Sequence, residues 1–202
     1  RYLGGDARGK RVLVLAGSGG NGGDGMVAAR LLHAWGAQPT VWLSHAAASL
    51  RGATAHQLRS LMALGLPLRL PPEPDGDDTV ALPPVDLLVD ALLGFGLRGP
   101  PSGASARFIA AANASPAPIL AVDLPSGLDG DTGAPYDPCI RAAATLTLAL
   151  PKTGLLAPAA RPFIGELAVA DIGIPPEVYA RVGVAVGPLF AKESIVPWVG
   201  GG

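Results

Sequence analysis

The residues of this chain that could do chemistry are few, and each follows a short apolar run. Asn21 and Asp24 lie in a glycine cluster, GSGGNGGDG, at 17–25. Asp90 ends the run DLLVD and is followed by Gly94, Gly96, Arg98 and Gly99. Asp123 ends ILAVD and is followed by Ser126, Asp129 and Asp131, while Lys152 follows TLTLAL. A carboxylate at the end of a buried strand is costly to desolvate without a partner. Asp90 is therefore either a cap on nearby backbone amides or a ligand for a cation or hydroxyl, and Asp123 and Ser126 carry the same two readings. A hard cation takes oxygens from Asn, Asp, Ser and carbonyls, and Asn21, Asp90 and Ser126 could supply them. Lys152 could neutralise a phosphate or Asp123, or be a solvated turn lysine.

Gly17 to Gly22 form a GxGxxG between an apolar run and a helical pattern. Such glycines let the backbone approach a phosphate at a helix N-terminus. A dinucleotide dehydrogenase also wants an acidic residue ending its second strand, and SHAAAS at 44–49 has none. A tight turn alone leaves Asn21 unexplained, although the chain has only two asparagines. A serine hydrolase is excluded, because Ser126 sits in PSG and no histidine follows it. His33, His45 and His56 lack metal-ligand spacing and read as surface residues, and the single Cys139 rules out an internal disulfide or a multi-cysteine metal site.

The elements that must position these residues alternate. Strands are expected at 11–16, 40–43, 86–93, 119–123, 144–150 and 166–172, with apolar sequence typical of buried parallel strands. Helices are expected from Met26 to Gly36, over 49–64 with Leu50, Leu58, Leu61 and Met62 on one side, and over 104–112, with a turn and short helix at 151–160. A Pro/Asp-rich loop covers 71–78, a long loop runs from Leu124 to about Asp137, and the C-terminal stretch is short and less regular. This pattern predicts an α/β fold, a Rossmann-like open and mostly parallel sheet with helices on both faces, in a single domain over 1–202. Ligands in such sheets bind outside the carboxyl ends of the strands, where the polar residues above converge.

Composition agrees. Of 202 residues 49% are hydrophobic and 15% charged, with a net charge of -1, so the chain can bury a core and has no global basic field for nucleic acid or anionic membranes. The 28 glycines and 21 prolines are about twice the ordinary share, lack a three-residue period, and imply many tight turns. No apolar run reaches the ~18 residues of a membrane span, and no signal peptide precedes the first strand, so a cytoplasmic location is expected.

Four ordered segments, GSGGNGGDGMVAARLLHAWG, DLLVDALLGFGLRGP, ILAVDLPSGLDGDTG and TLTLALPKTGLL, resemble the YjeF N-terminal domain, the NAD(P)H-hydrate epimerase family, from about Lys10 to about Pro176. The resemblance implies a homodimeric isomerase of nicotinamide cofactor repair. It interconverts the R and S epimers of hydrated NADH and NADPH, so that an ATP- or ADP-dependent dehydratase, separate or fused, can restore the cofactor, and it binds potassium. By that resemblance Asn21, Asp90 and Ser126 are the potassium ligands. Gly20, Asn21, Gly22, Gly23 and Asp24 form the substrate loop. Gly94, Phe95, Gly96, Leu97, Arg98, Gly99 and Pro100 wrap the phosphate-bearing part, with Arg98 available for charge pairing. Asp123 contacts the damaged nicotinamide ring.

The family loop usually reads NNGGDG, and Gly20 stands at its first asparagine. The family also carries helices ahead of the first strand, which bear on dimerisation and one pocket wall. The hydrate is a hemiaminal. Its stereochemistry is lost when hydroxide leaves with help from the ring nitrogen and water returns to either face, or alternatively by ring opening. One carboxyl alternating between acid and base serves the first route, and Asp123 is the expected one. A non-catalytic nucleotide-binding or protein-interaction scaffold is the alternative. The joint presence of Asn21, Asp90, Asp123 and Ser126 favours the enzyme.

Overall fold

Alternation along the first strand already decides which helix covers which face. In a computed structural model describing residues 2–71 and 80–198, β1 (Arg11–Ala16) is buried at every residue but the first. Val12, Val14 and Ala16 join one core cluster with Met26, Ala29, Leu58 and Leu61, while Leu13 and Leu15 join another with Phe108, Ile109 and Ala112. Successive strand side chains point to opposite faces. The helices α1 (Gly20–Ala34) and α2 (Gly52–Ala63) therefore cover one side and α3 (Gly103–Ala114) the other. A strand apolar on both faces is what a sheet sandwiched between helices requires.

The remaining strands are β2 (Gln38–Leu43), β3 (Leu68–Arg69), β4 (Leu87–Ala91), β5 (Ile119–Val122), β6 (Ala144–Leu148), β7 (Glu166–Ala170) and β8 (Ile195–Pro197). They form one sheet in the order β3-β2-β1-β4-β5-β6-β7-β8. Every pair is parallel except β7 with β8. The chain winds outward from β1 to β3 and then returns to place β4 on the other side of β1. That reversal opens a crevice outside the carboxyl ends of β1 and β4. Among the described residues two short α-helices remain, α4 (Arg161–Ile164) before β7 and α5 (Pro176–Arg181) before β8. A third cluster of Leu124, Leu128, Cys139, Leu155, Ala160 and Ile164 fixes the long loop after β5.

The expected open, mostly parallel sheet is therefore present, with differences at element ends. Most of the glycine cluster is helical: α1 begins at Gly20, so Asn21 and Asp24 stand on its first turns. The glycines permit this by letting the helix lie close to the sheet. A Cβ at Gly22 would overlap the Gly17 carbonyl, and one at Gly25 would overlap the Ala91 side chain. In α2, Leu58 and Leu61 are buried as expected, whereas Met62 is exposed. The strand expected to 93 ends at Ala91, and those expected to 123, 150 and 172 end at Val122, Leu148 and Ala170. Two short strands, β3 and antiparallel β8, and the helix α5 were not expected. The Pro/Asp-rich loop lies, except for Pro71, outside the described residues.

Candidate functional site

Asp90 is the last polar position of β4 and is fully buried. Its Oδ1 accepts from the Ser126 hydroxyl at 2.6 Å and from the Leu92 amide at 3.2 Å, and its Oδ2 accepts from the Ser126 amide at 2.7 Å. Burial pushes the Asp90 carboxyl up to about 6, against the pull of the bonds from Ser126 and Leu92. The carboxyl thus sits where burial penalises its charge, and the donors on Ser126 and Leu92 offset part of that penalty. Ser126, also fully buried, accepts at its Oγ from the Leu93 amide at 2.9 Å and lies 3.2 Å from the Leu93 carbonyl oxygen.

Asn21 joins the same cluster from α1. Its Nδ2 donates to the Leu93 carbonyl at 3.1 Å, while its Oδ1 is buried without a hydrogen-bond partner. An orphaned acceptor costs about 1–3 kcal/mol, so a donor or cation is the natural occupant beside it. The connections after β1, β4 and β5 thus meet around the backbone of Leu93. The available donors there are amide, carboxylate, hydroxyl and carbonyl oxygens, the chemistry a hard monovalent cation takes. No group of three His, Cys, Asp or Glu side chains with metal-holding geometry occurs among the described residues.

Asp123 forms a second cluster beside it. It follows β5 directly, with φ at 68°, a left-handed conformation uncommon outside glycine. Its amide donates to the Leu146 carbonyl at 2.9 Å. Its Oδ1 accepts from the Leu148 amide at 3.2 Å, from the Thr147 hydroxyl at 3.4 Å and from Lys152 Nζ. Lys152 Nζ also donates to Thr147 Oγ1 at 3.3 Å and to the Leu148 carbonyl at 3.0 Å. Asp24 is exposed on α1, yet partial desolvation and then the negative charge of Asp123 hold its carboxyl above the usual range. α1 therefore presents Asn21 to the first cluster and Asp24 toward the second.

The segment from Gly94 to Pro100 borders the first cluster and the loop after β5. A Cβ on Gly94 would stand 3.2 Å from the Asn21 Cβ, and one on Gly130 would stand 2.6 Å from Phe95 Cδ2. This turn is wedged between α1 and the loop after β5. Gly96, Leu97, Gly99 and Pro100 lie along its half-buried or exposed rim. Arg98 is exposed, and its Nη1 donates to the carbonyls of Leu97 at 3.0 Å and Phe95 at 3.4 Å, so that nitrogen braces its own turn. Asp129 and Asp131 stand apart in role. The Asp129 carboxylate accepts from the Asp131 and Thr132 amides and from the Thr132 and Tyr136 hydroxyls, a braced turn that holds it below the usual carboxylate range.

Sequence reasoning missed three contributors. The Leu93 backbone carries no side-chain signal. Thr54 on α2 donates to the Gly19 carbonyl at 3.0 Å and holds the turn before α1, although it lies 35 residues away in the chain. Thr147 sits in an apolar strand and reads as β-propensity. His33, His45 and His56 are exposed, as expected.

A doubly wound α/β sheet, with a glycine-rich helix start beside a buried and a partly buried carboxylate cluster at its topological switch, defines the class as a Rossmann-like α/β domain. Within that class the chain belongs to the YjeF-related protein N-terminus family, whose model matches residues 1–154. It is 42% identical over 182 residues to an NAD(P)H-hydrate epimerase of Dehalogenimonas lykanthroporepellens, covering 90% of this chain and 70% of that one. It is 44% identical over 186 residues to a bifunctional NAD(P)H-hydrate repair enzyme Nnr of Pyrobaculum aerophilum, covering 86% of this chain and 35% of that one. The chain thus spans about a third of the length of that bifunctional relative. The crystal structure of yeast ynu0 shares the fold, with a TM-score of 0.73, 24% identity and coverage of 95% of this chain and 78% of that one.

Proposed function

We propose that this protein is an NAD(P)H-hydrate epimerase, an isomerase that interconverts the R and S epimers of hydrated NADH and NADPH. The observation that carries the reading is the pairing of the two clusters, a buried oxygen-donor set at Asn21, Asp90 and Ser126 beside the partly buried Asp123. The names of relatives that match most of this chain support it.

Asn21 Oδ1, the Asp90 carboxylate and the Ser126 hydroxyl would hold potassium, and the orphaned Asn21 Oδ1 is the structural feature that fits it. When bound, the cation supplies positive charge that balances Asp90 and fixes the three connections. Asp123 acts as acid and base in turn. It protonates the hydroxyl leaving the ring carbon as the nitrogen lone pair takes up the developing charge, and it then takes a proton from the water that returns to either face. Gly20, Asn21, Gly22, Gly23 and Asp24 at the start of α1, with Gly94 to Pro100, would hold the dinucleotide. A helix N-terminus and close backbone suit its phosphates. We further read the protein as a homodimer working with an ATP- or ADP-dependent dehydratase, and light scattering of the purified chain tests the dimer.

The deciding experiment is chiral separation of hydrated NADH and NADPH with and without the protein, in potassium buffer and without ATP. Equilibration of a single epimer to the mixture is expected. Persistence of both epimers unchanged at high protein concentration would turn the reading to a non-catalytic scaffold.

A further inference from the structure

We propose that Lys152 is a positioning residue that clamps Asp123 so that one carboxylate oxygen alone faces the reacting atoms; the inference rests on the epimerase reading of the site. An ammonium has three N–H donors and no acceptor. Lys152 Nζ reaches three acceptors inside the protein: Asp123 Oδ1, Thr147 Oγ1 at 3.3 Å and the Leu148 carbonyl at 3.0 Å. Its donors are fully used, which leaves none for a substrate phosphate. Thr147 in turn donates to Asp123 Oδ1 at 3.4 Å, and the Leu148 amide donates to the same atom at 3.2 Å.

Three donors from β6 and the turn after it therefore converge on Oδ1, while none of these bonds reaches Oδ2. Oδ2 is the oxygen left to exchange a proton. The side chains of Lys152 and Asp123 are only 18% and 14% exposed, so water screens the pair little. The backbone is committed to the same geometry. Asp123 and Ala149, at the ends of neighbouring strands, have φ of 68° and 67°. Non-glycine residues keep such conformations where the surroundings over-determine them, typically at functional sites. A carboxylate displaced by ~1 Å from its productive position costs about 10²-fold in rate, which sets the value of the clamp.

The test compares Lys152→Met and Lys152→Arg with wild type, alone and in an Asp123→Asn background, on hydrated NADH. Lys152→Met should lower kcat about 10–100-fold with KM within about twofold of wild type, Lys152→Arg should recover part of kcat, and Asp123→Asn/Lys152→Met should be no slower than Asp123→Asn alone. A raised KM with kcat unchanged, which a phosphate contact would give, overturns the proposal, as does a further rate loss in the double variant. If wild type itself does not epimerise the hydrate, the functional reading fails and the clamp is read from melting temperatures instead. Lys152→Met should then lower the melting temperature in the wild-type background and leave that of Asp123→Asn nearly unchanged. Equal losses in both backgrounds would overturn the clamp.

Discussion

In the proposed mechanism Asp123 concentrates the chemistry of the site in one oxygen, and one substitution separates its roles. Asp123→Asn keeps an acceptor for the Leu148 amide and the Thr147 hydroxyl but cannot cycle a proton. Epimerisation should fall ~10²–10⁴-fold, the usual worth of general acid–base catalysis. Affinity for intact NADH should change little, because the proposed phosphate contacts come from the backbone at the start of α1 and from Gly94 to Pro100. Loss of a charge-assisted bond to Lys152 should cost about 1.5–3 kcal/mol of stability. Rate, affinity and melting temperature measured on the one variant test this, and wild-type epimerisation by a well-folded Asp123→Asn protein removes Asp123 from the mechanism. Cys139 behaves oppositely, as a thiol kept out of chemistry. Burial first, and the negative charge of Asp90 second, push it from an ordinary 9.0 up to about 12. The unfolded thiol therefore ionises before the folded one. The contribution of Cys139 to stability is fully present below about 9 and is lost as pH rises toward about 12. Urea unfolding at pH 8 and pH 10.5 should show a smaller alkaline loss for Cys139→Ala than for wild type. Ellman's reagent should react with wild type at pH 8 only after unfolding.

At the scale of elements, α1 carries the sharpest expectations, because its glycines do different jobs at neighbouring positions. A Cβ at Gly25 would overlap Ala91 and stand 3.2 Å from Val14 Cγ1, both in the sheet beneath. Gly25→Ala should push the helix off β1 and β4 and cost about 1–3 kcal/mol, the usual price of overpacking a well-filled core. Gly20, at the first position of the helix, has nothing within 4 Å of its Cβ direction. Gly20→Asn restores the asparagine usual at this place and should leave stability within about 0.5 kcal/mol of wild type. Urea denaturation of both variants tests the pair, and equal effects would contradict the close approach seen at Gly25. The same helix shows what the sequence could and could not reveal. Apolar runs and strand-end polar residues made the sheet and Asp90, Asp123 and Ser126 legible, because burial and charge leave a pattern along the chain. The helical start at Gly20 was hidden, since glycine is a poor helix former and only the sheet beneath explains its use. The two-residue β3 and the antiparallel β8 are too short for a periodic signal, whereas of the readings open for Lys152 the structure shows the pairing with Asp123 and adds Thr147 and Leu148 of β6 as further acceptors.

At the scale of the molecule, the cluster around Leu93 ties together the connections after β1, β4 and β5, which are far apart in the chain and adjacent in the sheet. A cation held there by Asn21, Asp90 and Ser126 would bind the folded chain and not the unfolded one, so it should stabilise the whole fold by mass action. At ten times its dissociation constant the gain is about 1.4 kcal/mol, which for a chain of 202 residues corresponds to roughly 3–6 °C in melting temperature. Potassium chloride should therefore raise the melting temperature above that in choline chloride at equal ionic strength, with saturation as concentration rises. Non-specific salt effects would not saturate and would be shared by choline. Asn21→Ala removes the orphaned oxygen but leaves Asp90 its bonds to Ser126 and Leu92. It should abolish the potassium-specific part of the shift while keeping the fold. A melting temperature equally indifferent to potassium and choline in wild type, or a potassium shift of full size in Asn21→Ala, would show that the three connections are held by protein contacts alone.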